Sequence, residues 1–67
     1  MSETREFRLY CSDRGDESVL GNIGEEMLEQ AIHSVRAAYP QSVIVVREVN
    51  ESVIRVIHPD GSEQTFD

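Results

Sequence analysis

Apolar residues alternate with polar residues near both ends of the chain and follow a helical period in the middle. Phe7, Leu9 and Cys11 alternate with charged or polar residues, which predicts a strand with these three side chains on one face. From Ser42 to Ile57 the apolar residues are mostly β-branched and again follow a period of two. The pattern therefore predicts a strand, a helix and then a hairpin.

The predicted helix lies between residues 18 and 40. Apolar residues recur there at steps of three or four, as in a helix with one buried side: Val19, Ile23, Met27, Ala31, Val35 and Ala38, flanked by Leu20, Leu28, Ile32 and Tyr39. Asn22 and Glu25 have the spacing of a capping box, so we expect the helix to begin between Ser18 and Ile23. It ends before Pro40, because a residue that precedes proline disfavours the α conformation.

The hairpin register depends on the turn at Asn50-Glu51. If these two residues form the whole turn, Val46 pairs with Arg55 and Ile44 pairs with Ile57. A longer loop would flip this register, and it stays open because Glu disfavours the positive φ of a tight turn.

A second turn is predicted at Pro59-Asp60-Gly61, after which residues 62–66 return as a short edge strand or form an ordered tail. The predicted fold is α+β. It is a small β-α-β-β(-β) domain of residues 1–67, with residues 1–4 frayed and one helix packed on one face of a three- or four-stranded mixed sheet. A right-handed crossover makes the first strand parallel to the strand after Ser42, beside which it lies if residues 62–66 pair. If they do not, the first strand can instead pair antiparallel with the strand after Asn50.

Both faces of the predicted hairpin are apolar. One face holds Val43, Val45, Val49, Ile54 and Val56, and the other holds Ile44, Val46, Val53, Ile57 and Phe66. One helix covers one face, and fully burying each such side chain is worth about 1.5–3 kcal/mol. We therefore expect a second copy of the chain, giving a homodimer, or another protein to cover the remaining face. The predicted interaction residues there are Ile44, Val46, Arg55, Ile57 and Phe66.

The chain is acidic, with 13 Asp and Glu residues, six Arg and no Lys, for a net charge of -7. This charge argues against direct nucleic-acid binding, which relies on clustered cations. Carboxylates concentrate between residues 13 and 29, where they either attract a basic protein partner or keep a solvated surface soluble. The candidate residues are Asp13, Asp16, Glu25, Glu26 and Glu29. On the hairpin, Glu48 and Arg55 are diagonal neighbours that form either a rim salt bridge or a recognition patch.

The sequence contains no recognisable catalytic or metal-binding motif. His33 and His58 have no carboxylate or thiol at the spacing of a triad or a metal site, and Cys11 is the single cysteine. We therefore expect no enzymatic activity, no cofactor and no metal. We also expect no signal peptide, no membrane association and a cytoplasmic location, because the chain begins with charged residues and has no long apolar run.

Two functional classes remain open. The favoured class is a small acidic protein-interaction module without enzymatic activity, such as a regulator, an inhibitor or an assembly subunit, which self-associates and binds a protein partner. The alternative is a small-molecule or ion-binding protein with a site at the helix–sheet or subunit interface, lined by Tyr10, Tyr39 and Phe66. Four aromatic residues in total argue against a large apolar pocket within one chain.

Overall fold

The computed structural model describes residues 5–15 and 17–66. These residues form one five-stranded sheet with one α-helix packed on it. The strands are β1 (Glu6–Cys11), β2 (Ile23–Gly24), β3 (Ile44–Glu48), β4 (Val53–Ile57) and β5 (Glu63–Thr65), and the helix is α1 (Leu28–Ala38). The α+β class and the packing of a helix on one sheet face are confirmed, whereas residues 1–4, which we expected to fray, lie outside the described residues.

The sheet is antiparallel throughout, in the order β2-β1-β3-β4-β5. β1 lies beside β3 as predicted, but the prediction of a three- or four-stranded mixed sheet with these two strands parallel was wrong. The chain enters α1 from β2, which runs antiparallel to β1. The crossover through α1 therefore joins β2 to β3, and these two strands run in the same direction on either side of β1.

α1 begins later than predicted because Ile23 belongs to β2, where it pairs with Phe7. Asn22 does not cap the helix, since its side-chain amide bonds to Arg8 and Glu6 instead. The side of α1 that packs on the sheet presents Leu28, Ile32 and Val35. Met27, which the predicted stripe included, is 51% exposed.

Nine buried apolar side chains fill the layer between α1 and the sheet: Phe7, Leu9, Cys11, Ile23, Leu28, Ile32, Val35, Ile44 and Val46. The inward orientation predicted for the three β1 residues is confirmed. Burial raises the pKa of the Cys11 thiol, so Cys11 is a neutral core residue and not an activated nucleophile.

The predicted hairpin register is confirmed at residues 44–46 and is wrong beyond them. Arg47 pairs with Val53 and not with Ile54, which leaves Ile54 as the extra residue of a β-bulge. Ile54 consequently packs against the core, whereas Val53 joins Arg47 on the opposite face. The turn contains Asn50 with a φ of 65°, a conformation that asparagine tolerates better than most residues.

The second predicted turn is also present. Gly61 has a φ of 95° and donates its backbone N–H to the carbonyl of His58 at 3.0 Å. β5 follows and pairs with β4, so the returning segment is a strand and not an unpaired tail.

Arg36, in the last turn of α1, connects the helix to the hairpin. Its guanidinium donates hydrogen bonds to the carbonyl oxygens of Tyr39 at 3.0 Å, Pro40 at 3.3 Å, Ser42 at 2.7 Å and Ile57 at 3.2 Å. Carbonyls at a helix C-terminus lack intrahelical partners, and a cation there also favours the helix dipole. One side chain therefore joins the end of α1, the start of β3 and the end of β4.

Replacing Arg36 with Met removes these hydrogen bonds while keeping an apolar stem. We expect the free energy of unfolding, measured by urea denaturation, to fall by about 1.5–3 kcal/mol, the range for hydrogen bonds to charged groups. Arg14→Met is the matched control, because the Arg14 guanidinium only stacks on the Tyr39 ring, 5.6 Å from its centroid. That control should cost no more than about 1 kcal/mol, and an equal loss in both variants would contradict the role given to Arg36.

Candidate functional site

The sheet face opposite α1 has no covering helix or strand within the described part of the chain. We call it the uncovered face. Strand alternation and register place on it Glu6, Arg8 and Tyr10 of β1, Val45 and Arg47 of β3, Val53 and Val56 of β4, and Gln64 of β5. Two rows of side chains cross it: one contains Tyr10, Val45 and Val56, and the other contains Arg8, Arg47 and Val53.

The apolar strip of this face consists of Tyr10, Val45, Val53 and Val56, all of which are partly buried within the isolated chain. A groove of about 330 Å³ follows part of the strip, and its lining includes Tyr10, Val45 and Val53. The side chains of the strip are therefore neither fully exposed to solvent nor packed against another layer of the described chain.

Arg8 and Arg47 are direct cross-strand partners, so two like charges face each other on the uncovered face. Each Nε atom has an acceptor: Asn22 Oδ1 at 2.7 Å for Arg8 and the Glu51 carbonyl at 3.2 Å for Arg47. Neither guanidinium forms an ion pair within residues 5–15 and 17–66. Like charges placed directly opposite destabilise a sheet, so the pair costs folding free energy.

A shallow groove of about 380 Å³ opens beside the two guanidinium groups. It is lined by Arg8, Tyr10, Arg47, Glu48, Val49, Asn50 and Glu51. The groove thus lies where the arginine pair meets the β3–β4 turn, at one end of the apolar strip.

The structure corrects the surface assigned to the predicted hairpin residues. Ile44 and Val46 are 0% exposed beneath α1, and Ile57 is partly buried against the same core. Ile44 and Val46 therefore have no surface to present to a partner in the folded chain. Phe66, which follows β5, is 47% exposed. The predicted hairpin register correctly grouped the residues at positions 44–46 by face. The local sequence did not indicate which of the two faces the helix would cover.

Arg55 also lies on the side of the sheet that α1 covers. It pairs with Glu29 of α1 and Glu63 of β5, and the hydrogen bond that it donates to the Glu63 carboxylate is the main cause of the raised pKa of Arg55. Glu48 pairs instead with Arg5 through two hydrogen bonds of 3.0 and 2.9 Å. The predicted neighbours Glu48 and Arg55 are therefore each paired with other residues.

The predicted acidic surface is divided in the fold. Asp13 accepts a hydrogen bond from the buried Ser42 hydroxyl just beyond the C-terminal end of β1. Glu25 pairs with Arg5 near the other end of β1, at 3.0 Å, and a strand of six residues spans about 17 Å between its end Cα atoms. Of the other candidates, Glu29 pairs with Arg55, Glu26 is exposed and Asp16 lies outside the described residues.

A second apolar groove, of about 390 Å³, lies between α1 and β2. Its lining includes Leu20 and Met27, which are 41% and 51% exposed. Among the residues that the structure describes, no three His, Cys, Asp or Glu side chains converge as a metal ion would require. α1 has 11 residues, and no helix of the described segments has the length and apolar character needed to cross a bilayer.

Comparisons with family models, curated proteins and solved structures find no match to this chain.

The arginine pair predicts an increase in stability when one charge is removed. Arg47→Gln should raise the free energy of unfolding by roughly 0.2–1 kcal/mol, because it ends the repulsion with Arg8. Arg14→Gln makes the same charge change at an exposed turn and should stay within about 0.5 kcal/mol of the wild type. Urea denaturation measures both. A loss of stability in Arg47→Gln alone would show that the contact with Glu51 outweighs the repulsion.

The Arg5–Glu48 pair predicts part of the acid sensitivity of the fold. Hydrogen bonds from Arg5 hold the pKa of Glu48 below its ordinary value of 4.5. A carboxylate with a lower pKa in the folded state stabilises the fold above its unfolded pKa, and this contribution is lost as the pH falls through the folded pKa. Glu48→Gln should therefore show a smaller fall in Tm than the wild type on acidification below pH 4.5. Glu26→Gln, at an exposed position, should show the same fall in Tm with pH as the wild type. An identical fall in all three proteins would contradict the role given to the Arg5–Glu48 pair.

Proposed function

We propose that this protein is a small, non-enzymatic protein-interaction module that docks through its uncovered face and serves as a regulator, an inhibitor or an assembly subunit. The uncovered face is the observation that carries the proposal. It presents the strip of Tyr10, Val45, Val53 and Val56 without a covering layer in the described segments. The cytoplasmic location expected from the sequence is retained in this proposal.

A second copy of the chain is the proposed occupant of this face. Among the described residues, all nine buried apolar side chains belong to the layer under α1, which is a single small core. Chains of about 60 residues bury only about 60% of the surface that the unfolded chain exposes. Two sheets packed face to face interdigitate their side chains in a layer about 10 Å thick. A two-fold dimer would therefore supply a second core from the same apolar strip on each copy.

The face is a better candidate than the β5 edge of the sheet. β5 contains only three residues, all of them exposed, and one is the charged Glu63. Short, charged edge strands resist pairing with another chain. Phe66 lies next to this edge, so its contribution to a dimer would be peripheral.

The basic partner expected from the sequence receives less support than a second copy. Asp13 and Glu25 lie near opposite ends of β1, and Glu25 and Glu29 are already paired with arginines. The alternative class, a protein that binds an ion or a small molecule, is favoured by one observation, the arginine pair on the uncovered face.

The test uses two neighbouring valines that face opposite layers. The wild type should sediment at twice the 7.6 kDa of one chain in analytical ultracentrifugation. Moderate salt should strengthen this association, since each copy carries a net charge of -7 and salt screens the repulsion. Val45→Asp should give a folded monomer, with its helical circular dichroism kept, because it charges the uncovered face. Val46→Asp should unfold the chain, because it buries a charge under α1.

Two results would overturn the dimer. One is a wild type that stays monomeric at millimolar concentration and in moderate salt, and the other is a Val45→Asp variant that still dimerises. If Val45→Asp itself does not fold, Val56→Thr provides the readout. It keeps a β-branched side chain on the same row of the uncovered face and should weaken the dimer without unfolding the chain.

A further inference from the structure

We infer that Arg8 and Arg47 form a binding site for one oxyanion group, a carboxylate or a phosphate, at the end of the uncovered face near the β3–β4 turn. This inference goes beyond the proposed interaction function, because the site lies within one chain and needs no second copy.

The two guanidinium groups are oriented through their Nε atoms and keep their other nitrogens available. Arg8 Nε is bonded to Asn22 Oδ1 at 2.7 Å, and Asn22 Nδ2 is in turn bonded to Glu6 Oε1 at 3.3 Å. Arg47 Nε is bonded to the Glu51 carbonyl at 3.2 Å. The Nη1 and Nη2 atoms of both arginines form no hydrogen bond with the described residues. These are the donors with which a guanidinium binds a carboxylate or phosphate as a fork.

The arginine pair differs from the other arginines of the chain. Arg5 and Arg55 pair with carboxylates, Arg36 bonds to backbone carbonyls, and Arg14 stacks on Tyr39. Arg8 and Arg47 instead face each other across neighbouring strands in a chain that has 13 acidic residues. A bound anion would relieve the repulsion between them, so the free chain is in effect prepared for a negative group.

The surroundings favour a single anionic group over a polyanion. Three carboxylates lie near the pair: Glu6 accepts from Asn22, Glu48 is paired with Arg5, and Glu51 lines the groove. Their negative charges oppose a long polyanion such as a nucleic acid. Tyr10 lines the same groove beside Arg8 and Arg47 and brings a hydroxyl group to it.

The composition of the chain supplies the experiment. Its basic side chains comprise six arginines and no lysine, so six arginine Nε–Hε signals report on all of them in a nitrogen–proton NMR spectrum. Titration with inorganic phosphate, and separately with acetate, should shift the signals of Arg8 and Arg47 more than that of Arg14. Arg47→Gln should weaken the affinity about tenfold, as expected for losing one charge-assisted hydrogen-bonding group. Arg14→Gln, with the same change in net charge, should alter it less than twofold.

The two probes separate the possible sources of the anion. Tighter binding of phosphate supports a free or attached phosphate group as the ligand, whereas tighter binding of acetate supports a carboxylate. Equal shifts of all exposed arginine signals, or equal losses of affinity in Arg47→Gln and Arg14→Gln, would overturn the site. The titration is carried out at concentrations where the mass of the protein is known. A monomer that binds the anion would therefore refute the dimer and leave the anion site intact. A dimer that does not bind the anion would refute the site and leave the dimer intact.

Discussion

The structure depends on a mismatch in width between one helix and a five-stranded sheet. α1 has 11 residues and is about 16 Å long, close to the length of β1, but a helix with its side chains is only about 10 Å wide. Five strands spaced by about 4.8 Å span roughly 19 Å between the outer strands. The helix therefore fully covers β1 and β3, where Leu9, Ile44 and Val46 have no exposed surface. Burial decreases across β4, whose residues are all partly exposed, and ends at β5.

Charged side chains act where apolar burial becomes incomplete. Arg55 on β4 binds Glu29 of α1 and Glu63 of β5, so it connects the helix to the part of the sheet that the helix does not reach. Arg36 acts at the opposite end of α1 through backbone carbonyls. Arg55 on the covered side thus forms ion pairs with two carboxylates, whereas Arg8 and Arg47 on the uncovered face form none with the described residues. The net charge of -7 conceals this division, because it sums over both sides of the sheet.

The parts of the fold that could be predicted were those with local signals. The alternation at Phe7, Leu9 and Cys11 indicated both the strand and its inward face, and the hairpin pattern indicated the register at residues 44–46. β2 could not be predicted in the same way. A strand of two residues is too short to show an alternating pattern, and Ile23 also fits the helical stripe. The antiparallel arrangement of β1 and β3 followed from that missed strand.

The candidate site was harder to predict than the fold. Val45 and Val46 are chemically identical neighbours, and only the position of α1 decides which of them is buried. Arg8 and Arg47 are 39 positions apart in the sequence, and they meet only through the β1–β3 register. Only a correct prediction of the β1–β3 register would have shown that they are neighbours, and that prediction required β2 to be recognised.

The β-bulge at Ile54 also shapes the surface that a partner would meet. A bulge increases the right-handed twist of its strand pair, so we expect the uncovered face to be twisted and not flat. A flat stack of sheets, of the kind that continues without limit in fibrils, would fit such a face poorly. The second copy proposed above would have the same twist and could match it once, in a closed pair. The extra residue in β4 thus favours an assembly of defined size.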